Sequence, residues 1–193
     1  MARFDAYEAL LRRWQPTINL VSKNTVAATW RRHFLDCGQL IGHLPQSYDA
    51  LYDIGSGAGF PGLVLALLGA HDVHLIESDH RKCAFLREAA RVTEARVTVL
   101  PERVETLKQP PQGWPVRRVI VARAVAPLDT LLDSARGLID SQTHCVMLKG
   151  VSAEAEIAAA RVRWQLRLHT APSLSEPRGV VLMISDLAFV SGT

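Results

Sequence analysis

The stretch Tyr52-Asp53-Ile54-Gly55-Ser56-Gly57-Ala58-Gly59-Phe60-Pro61-Gly62 joins an apolar run, Ala50–Ile54, to a glycine-rich turn. Pro61 suits the first turn of a following helix, where its missing N–H costs nothing. Glycines at 55, 57 and 59 remove the Cβ atoms that would hold a ligand away from the backbone. Working outward, Val73–Glu77, Val97–Leu100, Arg118–Ala122 and His144–Leu148 are further short apolar runs of the buried-strand type. Between them Gly62–Leu68, Arg81–Thr93, Pro127–Ile139 and Ala153–Val162 carry helical patterns. Strands alternating with helices at this spacing predict a mostly parallel sheet covered on both faces. Trp164–Thr170 alternates polar and apolar, and Val180–Leu187 follows a Pro- and Ser-rich turn with no helix between. That predicts an antiparallel pair at the end of the sheet. In such a sheet the glycine turn sits at the carboxyl edge, where ligands bind.

Upstream, residues 5–14 form a short amphipathic pattern with Leu10, Leu11 and Trp14 on one side, ended by Pro16. Residues 24–42 predict a second helix, capped by Asn24 or Thr25, with Val26, Trp30, Phe34 and Ile41 near helical spacing. Pro45 and Ser47 mark a boundary. The expected organisation is a helical arm, residues 1–48, on one α/β unit, residues 49–193.

The whole chain, 193 residues with 48% hydrophobic and 21% charged, suits one globular unit and argues against wholesale disorder. Its longest apolar stretch, Leu63–Ala70, is less than half of what a membrane-spanning helix requires. No apolar run near the N-terminus has the form of a secretion signal. Cys37, Cys83 and Cys145 lie far apart and outside any C-x-x-C pair, and the seven histidines lack metal-ligand spacing. The expectation is a cytoplasmic protein without membrane, disulfide or metal, acting as a monomer.

The net charge is only +3, but its placement is uneven. Arg3, Arg12, Arg13, Lys23, Arg31 and Arg32 face only Asp5, Glu8 and Asp36 within residues 1–48, and the remainder holds sixteen charges of each sign. Arginine forks onto phosphate and stacks on bases, so the arm is a candidate nucleic-acid surface. A solvated helix face and a genome rich in arginine codons account for the same bias.

Gly57, Gly59 and Gly62 also satisfy G-x-G-x-x-G, so the glycines alone leave a dinucleotide and other adenosine ligands open. Asp53 tips the balance. A carboxylate facing a pyrophosphate is unfavourable at a helix start suited to anions. S-adenosylmethionine carries a sulfonium, an ammonium and no phosphate. No Gly-Lys-Ser/Thr follows, which excludes a nucleoside-triphosphate loop. Glu77, at the end of the second strand, is placed to accept hydrogen bonds from the ribose hydroxyls of an adenosine. A solvated acid at a strand end is its plain alternative.

Other signals are missing. There is no Asp/Asn-Pro-Pro-aromatic segment, since Pro110-Pro111 is followed by Gln112-Gly113, and no cysteine follows a proline. A chain without an obvious base or nucleophile suits an acceptor that needs no deprotonation, and the N7 lone pair of guanine is one.

Trp14…Asn19-Leu20, Arg32-His33-Phe34-Leu35-Asp36, the Asp53–Gly62 loop, Glu77-Ser78…Lys82…Phe85-Leu86, Arg103-Val104-Glu105, Ala122-Arg123-Ala124 and Lys149-Gly150 occur together and in this order. This set resembles the bacterial small-subunit rRNA guanine-N7 methyltransferases, once called glucose-inhibited division protein B, across nearly the whole chain. Cys37 replaces the usual serine, and Gln15 replaces a frequent asparagine. The resemblance implies the class I S-adenosylmethionine-dependent methyltransferase fold, Rossmann-like, with a mostly parallel seven-stranded sheet. It implies transfer of the methyl group to N7 of a guanosine in 16S rRNA, leaving S-adenosylhomocysteine.

On this view Gly55 and Phe60 line the cofactor site with Ser56, Gly57 and Gly59. Val104 and Glu105 flank the adenine, and Arg123 lies at the cofactor and acceptor end. His33, Arg123 and Lys149 are positioning candidates, and Arg12, Arg13, Arg31, Arg32, His33 and Lys149 are RNA-contact candidates. For His33 a core histidine tied to Asp36 is the competing role, and for Lys149 an ordinary exposed lysine. Helical rotation allows at most two of Arg31, Arg32 and His33 to face the same way. Rival functions are a same-fold methyltransferase acting on a small molecule or a protein, a nicotinamide-dependent oxidoreductase, and a non-catalytic RNA-binding module.

Overall fold

Seven strands form one sheet in the order β3-β2-β1-β4-β5-β7-β6 in a computed structural model that describes residues 1–107, 109, 113–123 and 126–190. The strands are β1 Ala50–Ile54, β2 Val73–Ile76, β3 Val97–Leu100, β4 Arg118–Arg123, β5 His144–Lys149, β6 Trp164–Pro172 and β7 Val180–Phe189. The first five pair in parallel, and β7 runs antiparallel to both β5 and β6. The class I methyltransferase architecture is thus present. Every residue of β1 is buried because it is central and covered on both faces.

The helices are α1 Ala2–Trp14, α2 Asp36–Gly38, α3 Gly62–Leu67, α4 His80–Thr93, α5 Leu128–Ser134 and α6 Ala153–Ala160. Asp79 caps α4 through its side chain, accepting from the amides of Arg81 and Lys82. The predicted helix over Pro127–Ile139 stops at Ser134, and a 3₁₀ turn at Arg136–Leu138 takes over. The Pro110-Pro111-Gln112 segment and Ala124 lie outside the described residues.

The arm departs most from expectation. Residues 24–42 are not one helix: a 3₁₀ stretch at Lys23–Ala28 is followed by a π-helical turn at Trp30–Leu35, the short α2, and a second 3₁₀ stretch at Gln39–His43. Neither Asn24 nor Thr25 caps it; the Thr25 hydroxyl instead donates to the Ser22 carbonyl at 2.7 Å. A π turn widens the helix by a residue and swings its side chains to a new face, a distortion common at functional sites.

Two hydrophobic clusters sandwich the sheet. One is shared between the arm and α3 and α4: Tyr7, Leu10, Leu11, Phe34 and Leu40 join Phe60, Leu63, Leu65, Phe85 and Leu86. Tyr7 packs on Phe34 with ring centroids 5.3 Å apart and on Phe60 at 5.6 Å. Each such buried side chain contributes about 1.5–3 kcal/mol, so the arm is bound by its core and not only by its surface. The other cluster lies under α5 and α6, with Leu128, Leu131, Leu132 and Trp164.

Candidate active site

Four strand ends converge on the carboxyl edge: the loop after β1, Glu77 after β2, Arg123 ending β4 and Lys149 ending β5. Above them lies a cleft of about 780 Å³. Gly55, Ser56, Gly57 and Phe60 form its floor with Arg123, and Arg32, His33 and Asp36 of the arm form one wall.

The loop takes its shape from its glycines, since Gly55, Gly57 and Gly59 all have positive φ (65°, 56° and 89°). A Cβ at Gly57 would meet nothing nearer than the Gly55 carbonyl at 3.8 Å, which leaves an open face for close backbone approach. Gly59 is packed instead: a Cβ there would come within 2.6 Å of the Tyr7 hydroxyl. That hydroxyl donates to the Ala58 carbonyl, so α1 is tied to the loop. The Phe60–Pro61 peptide is cis.

Most loop amides are already engaged. Those of Gly59 and Phe60 donate to the Ser56 carbonyl at 2.7 and 3.0 Å, and that of Ser56 to the Ile76 carbonyl at 3.0 Å. The Gly57 amide donates to Glu77 Oε2 at 2.9 Å. Glu77 is itself buried, and its Oε1 accepts the Asp79 amide at 2.8 Å. The residue expected to accept the ribose hydroxyls anchors the loop from below.

Asp53 corrects the sequence-based expectation. Its carboxylate turns under the loop rather than toward a ligand, fully buried, with Oδ2 accepting the Gly62 amide at 3.0 Å. A Cβ at Gly62 would fall 2.7 Å from Asp53 Cβ, so glycine is required for this approach. Asp53 Oδ1 has no partner. Burial pushes the acid up to about 7, against the opposing hydrogen bond from Gly62. The two residues expected at the adenine are not among those lining the cleft: Val104 packs against the α5 side of the core, and Glu105 is exposed.

Arg123 is held by the arm. Its Nη1 donates to the Arg32 carbonyl at 2.9 Å and to Asp36 Oδ2 at 3.3 Å, and its Nη2 donates to His33 Nδ1 at 2.9 Å. The guanidinium stands over the Phe60 ring, 5.0 Å from its centroid. His33 stacks on the same ring at 4.9 Å. Its Nε2 reaches the Thr25 hydroxyl at 2.9 Å, which already donates to Ser22, so His33 carries its proton on Nε2 and accepts at Nδ1. Burial first, then the Arg123 and Arg32 charges, lower His33 to about 4. His33 is thus a buried neutral acceptor facing an arginine, not a cation facing RNA, and its partner is Arg123 rather than Asp36.

The other arm arginines spread outward. Arg12 pairs with Glu8 at 2.7 Å, and Arg32 with Glu176 of the β6–β7 hairpin at 2.7 Å. Arg13 and Arg31 are exposed and away from the cleft. Lys149 lines the cleft but is not the free lysine that RNA contact would need; its ammonium meets Glu156 at 2.8 Å and the Ala126 carbonyl at 2.6 Å. Tyr7, Thr25, Asp36 and Glu156 are site-building residues that motif spacing did not single out for these roles. Tyr7 is the first member of the i, i+3, i+4, i+7 series with Leu10, Leu11 and Trp14, Asp36 closes the Arg32–Asp36 motif, and Thr25 is a cap candidate; Glu156 leaves no trace.

Burial pushes the Cys37 and Cys145 thiols up to about 12. Among the described residues no group of three or more His, Cys, Asp or Glu is placed to hold a metal, and no helix is long and apolar enough to cross a membrane.

The family model of rRNA small subunit methyltransferase G matches residues 1–179. A ribosomal RNA small subunit methyltransferase G of Rhodospirillum centenum is 48% identical over 186 residues, covering 96% of this chain and 84% of that protein. The protein of the same name from Paramagnetospirillum magneticum is 47% identical over 188 residues, 97% and 89% of the two chains. Among solved structures, a ribosomal protein L11 methylase from Lactobacillus delbrueckii subsp. bulgaricus shares the fold with a TM-score of 0.59 at 17% identity, over 78% of this chain and 76% of that one. A glycopeptide N-methyltransferase complexed with S-adenosyl-L-methionine does so with a TM-score of 0.61 at 10% identity, over 79% and 93%. With sheet order, glycine loop and near full-length relatives in agreement, the chain belongs to the rRNA small subunit methyltransferase G family.

Proposed function

We propose that this cleft binds S-adenosylmethionine along the glycine loop and presents its methyl group to N7 of a guanosine in 16S rRNA. The protein is an S-adenosylmethionine-dependent methyltransferase of small-subunit rRNA, as its family membership and fold require. The observation that carries the cofactor choice is the state of the loop amides. Those of Ser56, Gly57, Gly59, Phe60 and Gly62 are engaged by protein oxygens, that of Gly57 by the Glu77 carboxylate and that of Gly62 by the buried Asp53 side chain. Such a loop offers little to a diphosphate and suits a ligand that carries positive charge. With Asp53 turned beneath the loop, the engaged amides rather than its charge disfavour a nicotinamide dinucleotide. The open face of Gly57 and a volume within the ~300–1,000 Å³ usual for small-molecule sites fit the cofactor.

When bound, S-adenosylmethionine supplies an electrophilic methyl group on a sulfonium. The chain's part is placement. Glu77, beneath Gly57, takes the ribose end, and Gly55 and Phe60 carry the ligand toward Arg123. The three acceptors of the arm hold the Arg123 guanidinium in one orientation, which leaves the neutral N7 lone pair to meet the methyl group in line. No group needs to remove a proton, in keeping with a histidine whose two nitrogens are both engaged. The protein acts as a cytoplasmic monomer, with the exposed Arg13 and Arg31 meeting phosphates.

Incubation of deproteinised 16S rRNA and of intact small subunits with methyl-labelled S-adenosylmethionine, followed by chemical cleavage at 7-methylguanosine, tests the reading. Label at a single guanosine that cleaves is expected. Label confined to protein or to a small molecule, or to another atom of the base, overturns it.

A further inference from the structure

Lys149 and Glu156 meet beside the cleft, almost closed to solvent at 9% and 17% side-chain exposure, with Nζ 2.8 Å from Oε2. Lys149 Nζ also donates to the Ala126 carbonyl at 2.6 Å, and Glu156 Oε2 accepts the Leu128 amide at 3.0 Å. Glu156 Oε1 accepts the Ser152 hydroxyl at 2.6 Å. One cation and one anion therefore grip the same turn, at a carbonyl and at an amide two residues apart. The turn needs this support. Leu128 opens α5, where the first amides lack partners within the helix, and the preceding Pro127 has no side chain that could cap them.

The strand order gives the turn its importance. Glu77 follows β2 on one side of the glycine loop, whereas β4 and β5 lie on the other. An adenosine over β2 leaves the far side of the cleft to the acceptor base, and the wall there is Ala126, Pro127, Leu148 and Lys149. We propose that Lys149 and Glu156 are paired positioning residues that fix the 126–128 turn as the wall against which the incoming guanosine is aligned. The inference rests on the methyltransferase reading of the cleft. It denies Lys149 a phosphate contact, because the ammonium is engaged inside the protein. Removing one member strands the other as an uncompensated, nearly buried charge, so the two act as a unit.

The test compares Lys149→Met, Glu156→Gln and the double variant with wild type in single-turnover methylation of 16S rRNA. Cofactor affinity, the salt dependence of RNA binding and hydrogen exchange at the Leu128 amide are measured alongside. Each single variant is expected to lose about tenfold to a hundredfold in methylation rate, the scale of a displaced reaction geometry. Cofactor affinity should stay within about twofold, and the double variant should be no worse than the poorer single one. The salt dependence should be unchanged, and the Leu128 amide should exchange faster in each single variant.

A Lys149→Met protein whose salt slope falls by about 0.7–0.9, beside a Glu156→Gln protein of normal rate, would make Lys149 an RNA contact and overturn the inference. Full rates in both single variants would also overturn it. If wild type fails to methylate rRNA, the methyltransferase reading fails by itself. Leu128 exchange then decides the clamp separately, with unchanged protection in both variants refuting it.

Discussion

Two buried groups with opposite titration behaviour stand close to the glycine loop, and replacing one should expose the other. Asp53 is raised from 3.8 to about 7 in the folded protein, and His33 is lowered from 6.5 to about 4. Between pH 4 and 6.5 the folded protein holds the Asp53 proton that the unfolded chain releases, so this group destabilises progressively as pH rises. Over the same window the unfolded chain holds a His33 proton that the folded protein refuses, so His33 makes stability rise with pH. Each contributes about 1.4 kcal/mol per pH unit, and the two slopes cancel in wild type. Asp53→Asn keeps a carbonyl oxygen for the Gly62 amide and deletes one of them. Urea unfolding at pH 5.0, 5.5 and 6.0 should give this variant a slope about 1.4 kcal/mol per unit more positive than wild type. His33→Gln should shift the slope by a similar amount in the negative direction. Common background titrations drop out of both differences. Profiles parallel to wild type in both variants would refute the assignment of a protonated Asp53 and a neutral His33.

Tyr7→Phe removes the hydroxyl that pairs with the buried Ala58 carbonyl and should cost about 1–3 kcal/mol, read as a lower urea midpoint with an unchanged slope. Glu77→Ala deletes the acceptor under Gly57 and should weaken S-adenosylmethionine binding by roughly 1.5–3 kcal/mol, with calorimetry as the check. Arg13→Glu with Arg31→Glu should reduce the slope of log K against log salt for rRNA binding by about 0.7–0.9 per lost contact, leaving cofactor affinity untouched. An unchanged slope would move the RNA surface elsewhere.

The strands were legible nearly to the residue because their apolar runs are short and bounded by turn residues. Ala50–Ile54 and Val97–Leu100 fall where the pattern puts them. The arm between residues 24 and 42 was not. Val26, Trp30 and Phe34 recur every four residues, and a hydropathy pattern cannot distinguish an α turn from the wider turn adopted at Trp30–Leu35. That turn is held by contacts distant in sequence, from Arg123 to Arg32, His33 and Asp36 and from Ser175 to Asp36. Which way a side chain points was equally hidden. Asp53 and Lys149 stand at informative positions, yet each is turned onto the protein's own backbone. Motif spacing locates a strand end; the direction taken there depends on what the neighbouring element leaves unsatisfied.

The tie between α1 and α4 carries a consequence for how the chain is made. Arg3 reaches the carbonyls of Thr93 and Glu94 at 2.5 and 2.9 Å, and Trp14 rests edge-on against Phe85 at 5.7 Å. The arm helix thus docks on one completed about 80 residues later, a delay of roughly 4–16 s at ordinary bacterial rates of synthesis. A helix of 13 residues is marginal alone in water. Through that interval Tyr7, Leu10 and Leu11 have no core to enter, and the nascent arm presents a bare apolar stripe to whatever chaperone waits at the tunnel exit.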